Sequence, residues 1–458
     1  MSSFFGLNEF SQECPVISDD QSQRWTNAYE LGKKSYSWDT ELCSERSLLF
    51  IYIKNNIDDI SIFLAALRNN HVVALLDPEL PKTTKDKLQN HYKPKFVYEN
   101  NKLEICSEKP DYDLHPDLSI LLSTSGSTGS PKFVKLTNKN IESNASAICD
   151  VLDIRSSEVG CGHLPLHYSY GLSVLTSHLF AGAPIHLTNK GFLDNSFWTQ
   201  MKNWKIAHLP GVPFHYLTLS RYGFSKIDLP ELRVLTQAGG ALDPKIRKKA
   251  YEFMDSIGGR FHVMYGQTEA APRLTTLSHD DFLKNPISVG KALPGGRIEI
   301  QHKRTKVETG VEGDVIYYGE NVMMGYAECP EDLSKGDVQK NTLITGDIGF
   351  LDSQKRLTIT GRSNRMGKIA GLRINLDEVE KCLLQIQSEV AVIQKQDNLL
   401  IFFTPLDSNT NLKDDALSLL VNKFSLPKVA YKFKEISSIP RTSRNKIDYP
   451  LLTNTHSV

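Results

Sequence analysis

At 458 residues the chain is long enough for a large core and for more than one domain. Its 53 basic residues (Lys plus Arg) match 53 acidic ones (Asp plus Glu). That balance speaks against a nucleic-acid surface or an acidic tail as the protein's main business, and leaves room for a local basic patch facing a phosphorylated ligand.

The seven cysteines are scattered, with no Cys-x-x-Cys pair, which fits a reducing compartment better than a disulfide framework. The start, Met1-Ser-Ser-Phe-Phe-Gly6, has no basic segment leading into an apolar core, so no secretory signal is expected. Apolar runs such as 47–53 and 60–67 are too short to span a bilayer. The expectation is a cytoplasmic protein without a membrane or nucleic-acid partner.

Residues 48–53 predict a strand, and 58–69 a helix with Ile60, Phe63, Leu64 and Leu67 on one face. A strand over 71–76 ends at Asp77-Pro78, a helix follows over 81–92, and another strand over 94–98. Strands alternating with helices predict an α/β layer with a largely parallel sheet.

Leu118, Ile120, Leu121 and Leu122 then predict a buried strand, and Phe133-Val-Lys-Leu136 a second one. Between them Thr124, Ser125, Gly126, Ser127, Thr128 and Gly129 form a loop of glycine and hydroxyl residues closed by Pro131 and Lys132. Glycines let backbone N–H groups approach an anion, hydroxyls add donors and the lysine adds charge, which is what a polyphosphate cradle needs. A Walker A loop is disfavoured, because Gly129 is followed by Ser130-Pro131-Lys132 and an apolar strand rather than by Lys-Ser or Lys-Thr and a helix. A flexible Gly/Ser linker has a similar composition but seldom sits between two apolar strands. Thr137 is placed to cap a helix that buries Ile141, Ala145, Ile148 and Leu152.

The segment from Leu164 to Ser173 holds His167, Tyr168, Tyr170 and Gly171, a mixture that lines a pocket or fills an ordinary core. Residues 234–241 predict a strand running into a glycine turn at Gly239, Gly240 and Ala241, and 261–269 a strand ending in Tyr265, Gly266, Gln267, Thr268 and Glu269. Ligands of open α/β sheets sit beyond the carboxyl ends of strands, so both segments can share a site with the loop. Glu269 is the natural magnesium ligand, since Mg²⁺ takes one or two carboxylates plus phosphate oxygens; a solvated surface glutamate is the plainer alternative.

After about residue 286 the texture changes to short strands, such as 313–318 and 342–345, and glycine turns. Residues 346–362 predict a hairpin with its turn near 352–355, which sets Asp347 beside Arg362. That pair suits the hydroxyls of a ribose, or is a surface salt bridge.

In this order the segments resemble the adenylate-forming superfamily: acyl- and aryl-CoA synthetases, peptide-synthetase adenylation domains and firefly-type luciferases. The resemblance runs through the loop 123–135, Ala238-Gly-Gly-Ala241, Tyr265-Gly-Gln-Thr-Glu269, the segments 319–326, 345–350 and 361–374, and Pro440-Arg-Thr-Ser-Arg-Asn-Lys-Ile-Asp448. It implies an α/β fold with a large N-terminal domain of αβ layers and a distorted β-barrel over 1–361, a hinge at 362–365, and a small mobile α+β domain over 366–458.

The implied chemistry is attack of a carboxylate on the α-phosphate of Mg-ATP, giving an acyl-adenylate and pyrophosphate, then transfer of the acyl group to a thiol. Thr268 and Lys446 match the residues at the α-phosphate and bridging oxygens, Glu269 the magnesium ligand, Tyr265 the packing on adenine, and Asp347 with Arg362 the ribose contacts. Lys368 resembles a second active-site lysine of some CoA ligases, and Gly371 the glycine beside the pantetheine tunnel.

The sequence departs from the family pattern at Asn364, where Asp or Lys is usual at the hinge, and at Asn445, in place of the glycine before the catalytic lysine; both tolerate unusual backbone angles. Tyr168 stands at a gate position that is often histidine, with His167 before it. Amino-acid-activating relatives carry an Asp at the position of Gly171, so the expected substrate is an aryl or acyl acid rather than a free α-amino acid. With the chain ending at Val458, the acceptor is expected in trans: CoA, or alternatively the phosphopantetheine arm of a separate carrier protein. A non-catalytic relative that senses nucleotide or acyl ligand is the alternative from another class.

Overall fold

The computed structural model describes residues 14–22, 24–43, 45–106, 112–123, 132–369, 372–387, 389–395, 398–404, 412–424, 428–442 and 446–455. The chain divides into two compact units, one of Met1–Ile298, Ile316–Leu343 and Lys355–Leu357, the other of Glu299–Val315, Ile344–Gln354 and Thr358–Val458.

In the first unit the alternation expected over 48–98 is present: strands Leu48–Tyr52, Val72–Leu76 and Phe96–Glu99, separated by helices Ile57–Arg68 and Lys82–Tyr92. The strands pair in parallel, and Val72–Leu76 pairs in parallel with Leu118–Ser123. Every residue of Leu48–Tyr52 and Val72–Leu76 is buried, as strands covered on both faces require, which is why they read as unbroken apolar runs. Antiparallel strands complete this seven-stranded sheet at both margins: Phe133–Thr137 then Gly325–Ala327 on one side, and Lys102–Ile105 on the other.

A nine-stranded sheet forms the second layer. Val159–Gly162, Ile185–Leu187, Ile206–Gly211, Val234–Gln237 and Arg260–Gly266 are joined by parallel pairings, and Arg273–Leu277 returns antiparallel to Arg260–Gly266. Helices lie between the layers. Ile60 and Phe63, Ile141 and Ile148, and Leu172 and Leu175 share one core cluster with Ile51 and Leu75 of the first sheet and Ile185 and Val234 of the second. The helix Asn138–Leu152 starts as expected: Thr137 accepts from the Asn140 N–H, and the Asn140 side chain accepts from the Thr137 N–H, a reciprocal cap. The helix Ser169–Ala181 is buried from Ser169 to Leu179, and so carries little amphipathic signal. Asn55, itself buried, donates to the carbonyls of Gly162 and Leu164. It thereby ties the first sheet to the segment that leads into this helix.

The second unit carries its share of a five-stranded sheet ordered Thr305–Lys306, Arg297–His302, Gly313–Tyr318, Thr342–Leu351, Leu357–Arg362. The described ladders do not close this sheet into a ring. Next come the pair Met366–Ile369 and Leu372–Asn375, and a three-stranded sheet of Val390–Lys395, Asn398–Phe403 and Tyr431–Glu435. Helices Leu376–Leu383 and Leu412–Phe424 accompany them, and Val379, Val392, Ile401, Leu420 and Tyr431 share a core. Among the described residues no helix is long and apolar enough to cross a membrane. All seven cysteines are free thiols.

Candidate active site

Thr124, Ser125, Gly126, Ser127, Thr128 and Gly129 lie outside the described residues. Both flanks of their loop are described: Ser123 pairs with Phe133 across an antiparallel ladder, so the loop is the connection of a hairpin. At its exit the Lys132 ammonium sits 3.6 Å from the centroid of the Tyr326 ring and 3.2 Å from Glu328. The register fixes this contact, because Tyr326 pairs with Val134 on the neighbouring strand. The Tyr326 hydroxyl donates to Glu269 Oε1 at 2.9 Å. One phenol therefore joins the loop lysine to the carboxylate expected to hold magnesium.

The segment carrying Thr268 and Glu269 follows the strand Arg260–Gly266 and makes a short 3-10 turn, Thr268–Ala270. Its backbone is clamped from several sides. The Met323 N–H donates to the Glu269 carbonyl at 2.9 Å. Asn321 donates to the carbonyls of Ala270 and Arg273, and Asn144 to that of Arg273. Tyr265 and Gln267 touch through the Tyr265 hydroxyl, at 3.3 Å. The Thr268 hydroxyl lies 3.1 Å from that of Ser169, the first residue of the buried helix.

The four residues expected at the acyl pocket stand at the start of that helix. His167 Nε2 is 3.6 Å from Asp77. The Tyr170 hydroxyl is bonded to Thr236 Oγ1 at 2.8 Å. Tyr168 packs against the turn after Val234–Gln237: a Cβ on Gly239 would lie 2.6 Å from the Tyr168 hydroxyl, and Gly239 has φ +87°, so only glycine fits. Gln237 donates to the Gly240 carbonyl and closes the turn, while Gly240 and Ala241 are exposed. At Gly171 a Cβ would meet the Pro165 carbonyl oxygen at 2.2 Å. Close packing thus already demands glycine there, so its link to substrate chemistry rests on the resemblance alone.

In the second unit the expected hairpin is formed by adjacent strands Thr342–Leu351 and Leu357–Arg362. It brings Arg362 Nε to 3.0 Å from Asp347 Oδ1, with the carboxylate side chain 3% exposed and the guanidinium 56%. The carboxylate of the pair is thus enclosed while the guanidinium stays largely exposed. Lys446 is exposed, and the Thr442 N–H donates to its carbonyl at 2.8 Å. Lys368 belongs to the strand Met366–Ile369, and Gly371 lies outside the described residues.

Three residues of the site escape the sequence reading: Ser169, Tyr326 and Arg273. Tyr326 is part of a motif segment, and only the ladder pairing reveals what its ring touches. Arg273 opens the returning strand, buried at 4% exposure, with its guanidinium carbon 3.8 Å from the centroid of the Tyr170 ring. An arginine heading the short, largely buried strand Arg273–Leu277 was the available signal.

Among the described residues no group of three or more His, Cys, Asp or Glu could hold a metal by itself. A lone Glu269 carboxylate with one oxygen already held by Tyr326 fits Mg²⁺, which completes its shell with phosphate oxygens and water.

The model of the family described as AMP-binding enzyme matches residues 44–327. An oxalate–CoA ligase of Arabidopsis thaliana is 28% identical over 347 residues, 73% of this chain and 66% of that protein. The 4-coumarate–CoA ligase 3 of the same plant is 26% identical over 355 residues, 72% of this chain and 62% of that protein. The chain thus spans under two thirds of the length of these relatives. The structure of the o-succinylbenzoate coenzyme A synthetase of Bacillus subtilis in complex with AMP superposes with a TM-score of 0.82 at 19% identity, covering 99% of this chain and 98% of that one. This likeness establishes the α/β fold.

Proposed function

Because this chain belongs to the AMP-binding enzyme family, we propose that it is an AMP-forming acid–thiol ligase. It activates an aryl or acyl carboxylic acid with ATP to an acyl-adenylate, releasing pyrophosphate, and passes the acyl group to the thiol of CoA. The observation that carries this reading is the Lys132–Tyr326–Glu269 chain, a cation and a carboxylate held by one phenol at the exit of a hydroxyl-rich loop.

The first transition state gathers negative charge on the α-phosphate, so fixed donors and cations there lower the barrier. Thr268, oriented through Ser169, and Lys446 supply them. The loop residues 124–129 and Lys132 hold the outer phosphates, Tyr265 packs on adenine beside the Gly239–Gly240–Ala241 turn, and the Asp347–Arg362 pair takes the ribose. Magnesium, held by Glu269, neutralises phosphate charge when bound. Lys368 and Gly371 serve the thiol step, and residues 362–365 form the hinge about which 366–458 turns between the two half-reactions. The free cysteines suit a reducing, cytoplasmic setting. The relatives' names range over oxalate and 4-coumarate, so they do not choose the acid.

The test is acid-dependent ATP–pyrophosphate exchange over aryl, short-chain, medium-chain and amino acids, with CoA added to each active case. Exchange followed by a thioester is expected. Exchange without one would transfer the reading to a ligase that loads a carrier protein. No exchange with any acid would leave a non-catalytic binder. Lys446→Ala is expected to cripple exchange while sparing thioester formation from preformed acyl-adenylate; equal loss of both half-reactions would contradict its role.

A further inference from the structure

The Arg273 guanidinium is buried with no carboxylate of the described residues within ion-pair distance, and its Nε has no hydrogen-bond partner. The other buried arginines among the described residues are supported differently. Arg365 is paired with Asp377 and Glu380, Arg356 lies 4.0 Å from Asp281, and Arg247 donates to the Ser288 carbonyl and, at longer range, to those of Pro286 and Ile287. Arg273 has a tyrosine face instead; a cation–π contact does not replace the carboxylate and the hydrogen bonds that offset the burial of an ion.

Its position is not slack in the packing. Asn144 binds both the N–H and the carbonyl of Arg273, and Asn321 binds the same carbonyl. The backbone is therefore held rigidly while the guanidinium, resting on the Tyr170 ring, has no carboxylate and its Nε no hydrogen-bond partner among the described residues. The ring it covers, Tyr170, follows Tyr168 and Ser169, and Ser169 touches Thr268. A buried guanidinium thus lies on the ring of one expected acyl-pocket residue, and the residue preceding that one in the helix touches the threonine assigned to the reacting centre.

We propose that Arg273 binds a second anionic group on the acid, so that the preferred substrate is a dicarboxylic acid. One carboxylate meets the α-phosphate near Thr268; the other is received by the guanidinium, whose planar fork matches a carboxylate. This rests on the acid-activating function proposed above.

The test compares matched acids in the exchange assay: butyrate with succinate, hexanoate with adipate, benzoate with terephthalate. The diacid is expected to win by at least about tenfold in kcat/KM in every productive pair, since a site built for a polar group rejects the analogue lacking it. Arg273→Met is expected to bring the ratio near unity through KM for the diacid, with KM for ATP unmoved, and Arg273→Lys to keep part of the preference. If Arg273→Met does not fold, the wild-type ratio and Arg273→Lys decide. Preference for the monoacids, or a ratio unchanged in the variants, would overturn the inference while leaving the ligase reading intact. Absence of exchange with any acid would remove the ligase reading and the inference with it.

Discussion

The phenol of Tyr326 stands between a lysine ammonium and a carboxylate. Burial, then the Glu269 charge, pushes its pKa up, so it remains a donor to Glu269. A hydrogen bond that orients a metal-binding carboxylate is worth 10- to 100-fold in metal affinity. Tyr326→Phe keeps the ring over Lys132 and removes only the hydroxyl. It is expected to weaken Mn²⁺ binding to the enzyme–ATP complex about tenfold, measured by electron paramagnetic resonance, with the melting temperature of the free protein unchanged. Unchanged Mn²⁺ affinity would contradict this role. At this scale the sequence reveals residues whose chemistry is local to a motif: Thr268 and Glu269 lie just beyond the end of the strand Arg260–Gly266, where ligands of open α/β sheets sit. It does not reveal Ser169 or Arg273, because their meaning comes from a helix and a strand 99 and about 100 residues apart in the chain.

Asp347 and Arg362 were legible because a hairpin brings its ends together by local rules, and they meet at 3.0 Å. The segment after them is anchored on both sides. Ser363 donates to Asp314 at 3.0 Å, and Arg365 is bonded to Asp377, Glu380 and the Val392 carbonyl. Tyr449 donates to the second oxygen of Glu380, so the carboxylate is held by three elements of the C-terminal fold. Removing one partner from such a buried pair leaves an unpaired charge. Arg365→Met is expected to destabilise the unit by roughly 3 kcal/mol, read as a lower midpoint in urea; a midpoint within error of the parent would show that the pair is not needed. If residues 362–365 form the hinge, Arg365 travels with the C-terminal strands. The buried helix Ser169–Ala181 was not legible, since apolar residues on all sides leave no 3.6-residue pattern to read.

The alternation of strands and helices made the α/β class readable, but not the order of the nine-stranded sheet. Pro15–Ser18 joins it beside Ile185–Leu187, and the Ser18–His186 hydrogen bond spans 168 residues of sequence. The first unit also stores a pH dependence. Burial pushes His178 and His262 down to about 3, and His186 and His215 to about 4, from an ordinary value of 6.5. Because the folded values are depressed, the unfolded chain binds more protons below pH 6.5. Stability is therefore full above that pH and falls as the pH drops toward 4 and 3. The loss by pH 5 is about 2 kcal/mol for each such histidine. Urea midpoints at pH 7 and pH 5 are expected to differ accordingly, with a smaller difference in His262→Leu, whose two ring nitrogens have no partner among the described residues. Equal midpoints at the two pH values would refute it.

The central claim is that the acid's own oxygen attacks the α-phosphate of ATP. Acid labelled with ¹⁸O in its reacting carboxylate, converted with ATP and CoA, tests it most directly. Formation of the new P–O bond expels pyrophosphate, and the thiol then breaks the acyl C–O bond, so AMP should carry one labelled oxygen. Label in inorganic phosphate with ADP as the product, or AMP without label, would contradict the account.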